Sequence, residues 1–289
     1  MDEVRQRLRA LGDDFTAAQI AATRELFVPV ALSPAQVNAV VKRDLSYGPD
    51  PRHRLDAFAP AETGVGRPVV VYVHGGGFVQ GDKGGEDAPF YNNVGAWAVR
   101  NGFIGVTLTY RLAPAHPWPA GAADVDLAMR WLSTHIASHG GDASRIVLMG
   151  HSAGAAHVAG YFARHGCTPD SKADAAAAVL VSGIYAPDLY ADDHDYRAYF
   201  GNDPSQDAQR STVPALAGLR TRSLFIISEF DPAPFHQHLA AVFAARVASQ
   251  HRCPEVVFQR DHNHVSVVMQ LGSELDTLGA ALAEFIRQR

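Results

Sequence analysis

The sequence has little cysteine, no long apolar run and no strong charge of either sign. Cys167 and Cys253 are its 2 cysteines in 289 residues. Two thiols cannot form a disulfide framework, and their separation matches no metal-ligand spacing, so free thiols in a reducing compartment are expected. No window approaches the roughly 18 consecutive apolar residues of a membrane span. The first ten residues, M-D-E-V-R-Q-R-L-R-A, carry charges where a secretory leader would carry an apolar core, so a cytoplasmic location is expected. A formal net charge of -5 makes neither nucleic acid nor an anionic membrane a natural partner. Internal repeats and low-complexity tracts are also missing. What is there is 47% hydrophobic and 19% charged, enough to bury a sizeable core and inconsistent with disorder.

Residues 1–36 read as helical, with Thr16 as an N-cap ahead of 17–27 and Ser33-Pro34 as a second start signal. Their apolar residues Ile20, Leu26, Phe27 and Val28 need a surface to cover, and a flap over the later core is expected. Val41, Arg43, Leu45 and Tyr47 alternate with other residues before the turn Gly48-Pro49-Asp50-Pro51, and 55–58 is extended again, which predicts an antiparallel hairpin at a sheet edge. From Pro68 onward, short apolar runs at 69–73, 103–108, 146–149, 178–181, 224–227 and 256–258 alternate with helix-length segments. Those segments are 89–100, 122–138, 153–164, 235–249 and 273–287. Strands apolar on both faces between helices predict an α/β fold with a mostly parallel sheet of about eight strands and helices on both sides. The expected organisation is a flap, 1–36, on one catalytic domain, 37–289, with a lid-like insertion around 183–220 that contains a short helix.

In such a sheet, ligands sit beyond the C-terminal strand ends, so residues just past each run are the ones that converge. The run 146–149 stops at G-H-S-A-G, where Gly150 and Gly154 flank Ser152 on a strand-to-helix turn too tight for a Cβ at either glycine. His74-Gly75-Gly76-Gly77-Phe78 follows 69–73, Asp231 follows 224–227, and His264 follows 256–258. A serine hydroxyl needs a base within reach, and an imidazole base needs a carboxylate to fix its tautomer and stabilise its cation. Ser152, His264 and Asp231 supply those three parts, with Glu229 and His262 as the competing acid and base. Backbone amides of Gly75, Gly76 and Ala153 are the candidate donors to an oxyanion, an interaction costing roughly 3 to 4 kcal/mol per donor removed in a well-studied case. Metal binding by His262 and His264, or by His236 and His238, is disfavoured because i and i+2 side chains point to opposite sides. No metal and no cofactor are expected.

These motifs together resemble the α/β-hydrolase superfamily, in particular its H-G-G-G carboxylesterases related to hormone-sensitive lipase. Y-R-L-A-P-A-H-P-W-P-A-G, Asp124 beyond it, and G-D-A-S-R-I ahead of the nucleophile strand are similar to that branch. H-G-G-G-F-V-Q-G-D, Y-F-G-N-D-P and N-H-V-S also resemble arylformamidases. The resemblance implies a small-molecule ester or amide substrate, cleaved through an acyl-enzyme, with His264 as the base. Short acyl groups are expected, since no large apolar lid is evident. Phe78, beside the glycines, and Tyr185 are the candidate pocket residues. Six aspartates between 183 and 207, at 188, 192, 193, 195, 203 and 207, read as a solvated face or as a screen against anionic substrates. A homodimer is compatible with the sequence, and an inactive hydrolase-fold scaffold remains the contrasting reading.

Overall fold

The computed structural model describes residues 2–62, 64–169, 174–190 and 193–288. Its strands are β1 (Ala39–Ser46), β2 (Arg54–Pro60), β3 (Arg67–Val73), β4 (Ile104–Leu108), β5 (Gly141–His151), β6 (Ala177–Val181), β7 (Arg222–Phe230) and β8 (Glu255–Asn263). They form one 8-stranded sheet in the order β1-β2-β4-β3-β5-β6-β7-β8. Pairing is antiparallel for β1 with β2 and β2 with β4, and parallel from there to β8. The hairpin, the sheet edge and the mostly parallel core therefore follow the sequence pattern.

Successive side chains on a strand point to opposite faces, and the central strands are apolar at both parities. In β3, Val69, Val71 and Val73 enter one core layer, while Val70 and Tyr72 enter the other. β5 divides likewise, with Ile146 and Leu148 on the first face and Val147 and Met149 on the second. Each such side chain, fully buried, contributes on the order of 1.5–3 kcal/mol.

The helices are α1 (Asp2–Leu11), α2 (Ala17–Phe27), α3 (Pro89–Arg100), α4 (Ala120–His135), α5 (Ala153–Phe162), α6 (His194–Phe200), α7 (Asp207–Arg210), α8 (Val213–Gly218), α9 (Ala233–Gln250), α10 (Ser266–Met269) and α11 (Gly279–Arg287). α4, α5 and α9 cover the first face through Val125, Met129, Val158 and Val242. α3 and α11 cover the second through Trp97, Leu282 and Phe285.

Several boundaries differ from the sequence pattern. The helix expected over 273–287 begins at Gly279, because Asp276 Oδ1 accepts from the amides of Leu278 at 2.9 Å and Gly279 at 2.6 Å and holds the preceding turn. Ser33-Pro34 starts a 3-10 turn, Ala35–Val37, rather than a helix, since Asn38 turns left-handed (φ 50°) into β1. β7 and β8 run past their apolar centres, because pairing continues through Ser228 and Gln259.

At the N-terminus, Thr16 Oγ1 accepts from Gln19 N at 3.2 Å and caps α2. Leu8, Leu26 and Phe27 pack with Phe90 and Met269. The Arg9 guanidinium pairs with Asp261 at 2.6 Å, and Asn263 Nδ2 donates to Thr23 Oγ1 at 2.8 Å. Both contacts tie this segment to the end of β8. Of the six aspartates, Asp193 caps α6, Asp203 caps the 3-10 turn Pro204–Gln206, and buried Asp207 pairs with Arg197 at 3.0 Å. Asp192 lies outside the described residues.

Candidate active site

Ser152 stands where β5 hands over to α5, with φ 56° and ψ -122°. For a residue with a side chain this conformation is strained, at a cost on the order of 1–3 kcal/mol, and persists only where its surroundings fix it. The glycines explain how. A Cβ on Gly150 would lie 2.5 Å from Gly154 O, and one on Gly154 would collide with Val73 O. Ser152 N donates to Val181 O at 2.9 Å, pinning the turn to β6.

Beyond the end of β8, His264 Nδ1 meets Asp231 Oδ1 at 2.6 Å. Asp231 Oδ2 accepts from Ser182 Oγ and from Ser228 N, each at 2.6 Å. Burial alone would raise the Asp231 pKa, but the hydrogen bonds from His264, Ser182 and Ser228 outweigh it and hold the carboxyl below its ordinary value. The carboxylate is thus charged, fully partnered and aimed at one imidazole. His264 Nε2 is buried without a hydrogen-bond partner, so no Ser152 hydrogen bond occupies it. Such bonds are commonly loose before substrate binds.

The competing residues are turned elsewhere. Exposed Glu229 accepts from Asp261 N at 2.8 Å. His262 Nδ1 faces Ser266 Oγ at 3.0 Å, and burial lowers its pKa to about 4. The structure therefore brings Asp231, not Glu229, to His264.

The H-G-G-G loop lies beside the turn, since a Cβ on Gly75 would be 3.0 Å from Ser152 Cβ. Gly76 takes φ +132°, and its carbonyl accepts from Gln80 N at 3.1 Å, curling the loop. His74 Nδ1 donates to Gly75 O at 2.6 Å and its ring stacks on Tyr110 at 4.4 Å, while Tyr110 donates to His74 O at 2.8 Å. Among the described residues, no acceptor is paired with the amides of Gly75, Gly76 or Ala153.

Phe78 and Tyr185 are less open than a lining role suggests. Phe78 is 1% exposed and stacks on Tyr199 at 4.5 Å, within an aromatic cluster with Tyr196 and Phe200 of α6. Tyr185 is 2% exposed, packs on Phe225 and accepts from Thr212 N at 2.8 Å through its carbonyl. Both are core side chains here.

Three neighbours, Ser182, Phe235 and Phe15, were not legible as site residues, whereas His151 reads from the sequence as a structural hydrogen-bonder beside the turn. Ser182 holds Asp231 from the end of β6. His151 Nε2 donates to His264 O at 2.7 Å; burial first, then the neighbouring His264, keeps it neutral with a pKa of about 3. Phe235 lies 4.2 Å and Phe15 4.5 Å from the His264 ring centre. A polar residue at a strand end was the available signal for Ser182; the rings carried none. Among the described residues no group of three or more His, Cys, Asp or Glu could hold a metal, and no helix is long and apolar enough to cross a membrane. Cys167 and Cys253 are free.

The chain is similar to known proteins over part of its sequence and in its fold. A family profile described as BD-FAE matches residues 55–176. Esterase LipI of Mycobacterium tuberculosis is 47% identical over 88 residues, 30% of this chain and 26% of that protein. "Probable carboxylesterase 1" of Arabidopsis thaliana is 37% identical over 145 residues, 45% of this chain and 44% of that protein. The matched stretches thus span less than half of those relatives' length. The crystal structure of esterase B from Lactobacillus Rhamnosis superposes with a TM-score of 0.75 at 19% identity, covering 99% of this chain and 96% of that one. With its sheet order and these matches, the chain has an α/β-hydrolase fold and, over part of its length, is similar in sequence to carboxylesterases.

Proposed function

We propose that the protein is a serine hydrolase that cleaves short-chain carboxylic esters. The observation that carries this reading is the 2.6 Å contact of His264 Nδ1 with a buried, fully hydrogen-bonded Asp231, which leaves Nε2 unpartnered on a histidine that contacts His151, the residue before Ser152. The carboxylate fixes the tautomer with the proton on Nδ1, so Nε2 is the basic nitrogen. Ser152 Oγ attacks the ester carbonyl carbon while Nε2 takes its proton. The carbonyl oxygen becomes an alkoxide, and the unpaired amides of Gly75, Gly76 and Ala153 are the donors to it. The tetrahedral species collapses, the alkoxide of the leaving group takes the proton from Nε2, and an acyl group remains on Ser152. Water, deprotonated by the same nitrogen, then releases the acid and restores the serine.

The names of the sequence relatives support an ester as substrate. A confined site supports a short acyl group, since Ser152 is 5% and His264 2% exposed. Residues 1–36 act as a flap, a role supported by Phe15 on the His264 ring, and 183–220 as a lid over the aromatic cluster of Phe78. An N-formyl amide would use the same three residues, a reading favoured by the N-H-V-S segment around His264. Two copies of the chain pair through a face bearing Phe243 and Val247 of α9 and Val256 and Phe258 of β8. All four are exposed, Phe258 by 51%. The register of β7 with β8 sets Phe225 beside Val256 and Ile227 beside Phe258, so both β8 side chains point to the α9 side of the sheet. An apolar patch that meets itself across a two-fold axis buries both copies.

Ser152→Ala tests the reaction. Turnover of p-nitrophenyl acetate should fall by several orders of magnitude with the urea unfolding midpoint retained, and unchanged turnover would remove Ser152 from the mechanism.

A further inference from the structure

The connector between α1 and α2 carries one aromatic side chain that no motif singles out. Phe15 is held at φ 47°, in the left-handed region that a bulky residue rarely adopts. A dedicated set of hydrogen bonds keeps it there. Gln19, 6% exposed, accepts from Phe15 N at 3.0 Å through Oε1, while its Nε2 donates to Leu11 O at 3.0 Å and to Gly12 O at 2.5 Å. The flanks are anchored to β8, whose end carries His264, by the Arg9 to Asp261 pair and by Asn263 on Thr23.

The conformation aims the ring at His264. The two ring centres are 4.5 Å apart at 74°, an edge-to-face contact, and Phe15 also meets Phe235 at 6.2 Å and 80°. Three aromatic rings thus surround the imidazole. His151 and Phe235 are buried, whereas Phe15 is only half-buried and has surface left for a ligand.

The chemistry says which part of a ligand would use that surface. The imidazole returns its proton to the departing alkoxide, so the alcohol portion passes along His264 while the acyl portion stays on Ser152. We propose that Phe15 is the specificity-determining residue for the alcohol portion of the ester and favours aryl alcohols through ring contact. This inference rests on the reading of Ser152 and His264 as nucleophile and base.

Two substrate series separate the alcohol side from the acyl side. Acetates of ethanol, phenol and 1-naphthol vary the alcohol, and p-nitrophenyl acetate, butyrate and hexanoate vary the acyl group. For Phe15→Ala, kcat/KM for phenyl and naphthyl acetate should fall about 5- to 10-fold relative to ethyl acetate, the size of one aromatic contact, with the acyl-chain ratios unchanged. Phe15→Leu keeps apolar bulk without the ring and should lose the same aryl preference with an unchanged urea midpoint, which separates recognition from folding. An equal loss on all substrates, or a shift in the acyl-chain ratios, would overturn the assignment. Fluorophosphonate labelling of both variants locates any failure. Labelled, active variants with unaltered aryl preference overturn the role of Phe15 alone, whereas a wild-type protein that takes no label overturns the underlying reading and this assignment with it.

Discussion

Lowering the pH from 7.5 to 5.5 should destabilise this protein steeply, because it buries several histidines in the neutral form. Burial lowers the pKa of His74, His238 and His262 to about 4 and that of His151 and His157 to about 3. Unfolded histidine titrates near 6.5. Below that pH the unfolded chain binds protons that the folded chain refuses, so stability rises with pH through this window and is lost as pH falls from about 6.5 toward 4. At pH 5.5 each such histidine costs about 1.4 kcal/mol, and the five together about 7 kcal/mol. That is comparable to the whole stability of a typical domain, roughly 5–15 kcal/mol. Asp231 acts in the same direction but only at lower pH, since its lowered pKa costs stability below the ordinary carboxylate range. The assay is a urea series at pH 7.5, 6.5 and 5.5 read by circular dichroism. His157, with no hydrogen-bond partner on either ring nitrogen, allows a check, because His157→Leu should reduce the proton uptake on unfolding at pH 5.5 by about one. A stability that is flat between pH 7.5 and 5.5 would refute the reasoning, since it requires these imidazoles to be protonated inside the fold.

The two candidate acids are separable. Asp231→Asn should lower kcat on p-nitrophenyl acetate by about 10⁴-fold, as loss of the orienting carboxylate does in the best-known triad, while Glu229→Gln should leave it within about twofold. The reverse ranking would make Glu229 the acid. For the paired surface, sedimentation velocity should give a dimer for the wild-type chain and a monomer for Phe258→Asp; a wild-type monomer at micromolar concentration would dispose of the proposed face.

The sheet was legible because its strands bury both faces. Val69 through Val73 are apolar at either parity, as a strand covered on both faces requires. The Ser152 turn was legible for a steric reason: Gly150 and Gly154 are the positions where a Cβ would meet backbone. Asp231 and His264 could be read as strand-end residues, but Glu229 and His262 satisfied the same rule. Only the three-dimensional pairing separates them, since Glu229 turns to Asp261 and His262 to Ser266. Phe78 shows the limit of adjacency. It follows the glycines in sequence, yet φ 69° carries it into the aromatic cluster of α6. Phe15 illustrates the opposite case: its partner lies at the other end of the chain, and no local periodicity encodes that contact.

Ser152 as an activated nucleophile is the centre of the proposed reaction, and one labelling experiment decides it. The wild-type protein, treated with a fluorophosphonate and digested, should carry a single phosphonyl adduct on Ser152, at a rate that falls sharply in Asp231→Asn and to zero in Ser152→Ala. An unlabelled Ser152, or an adduct that forms as fast without Asp231, would contradict it.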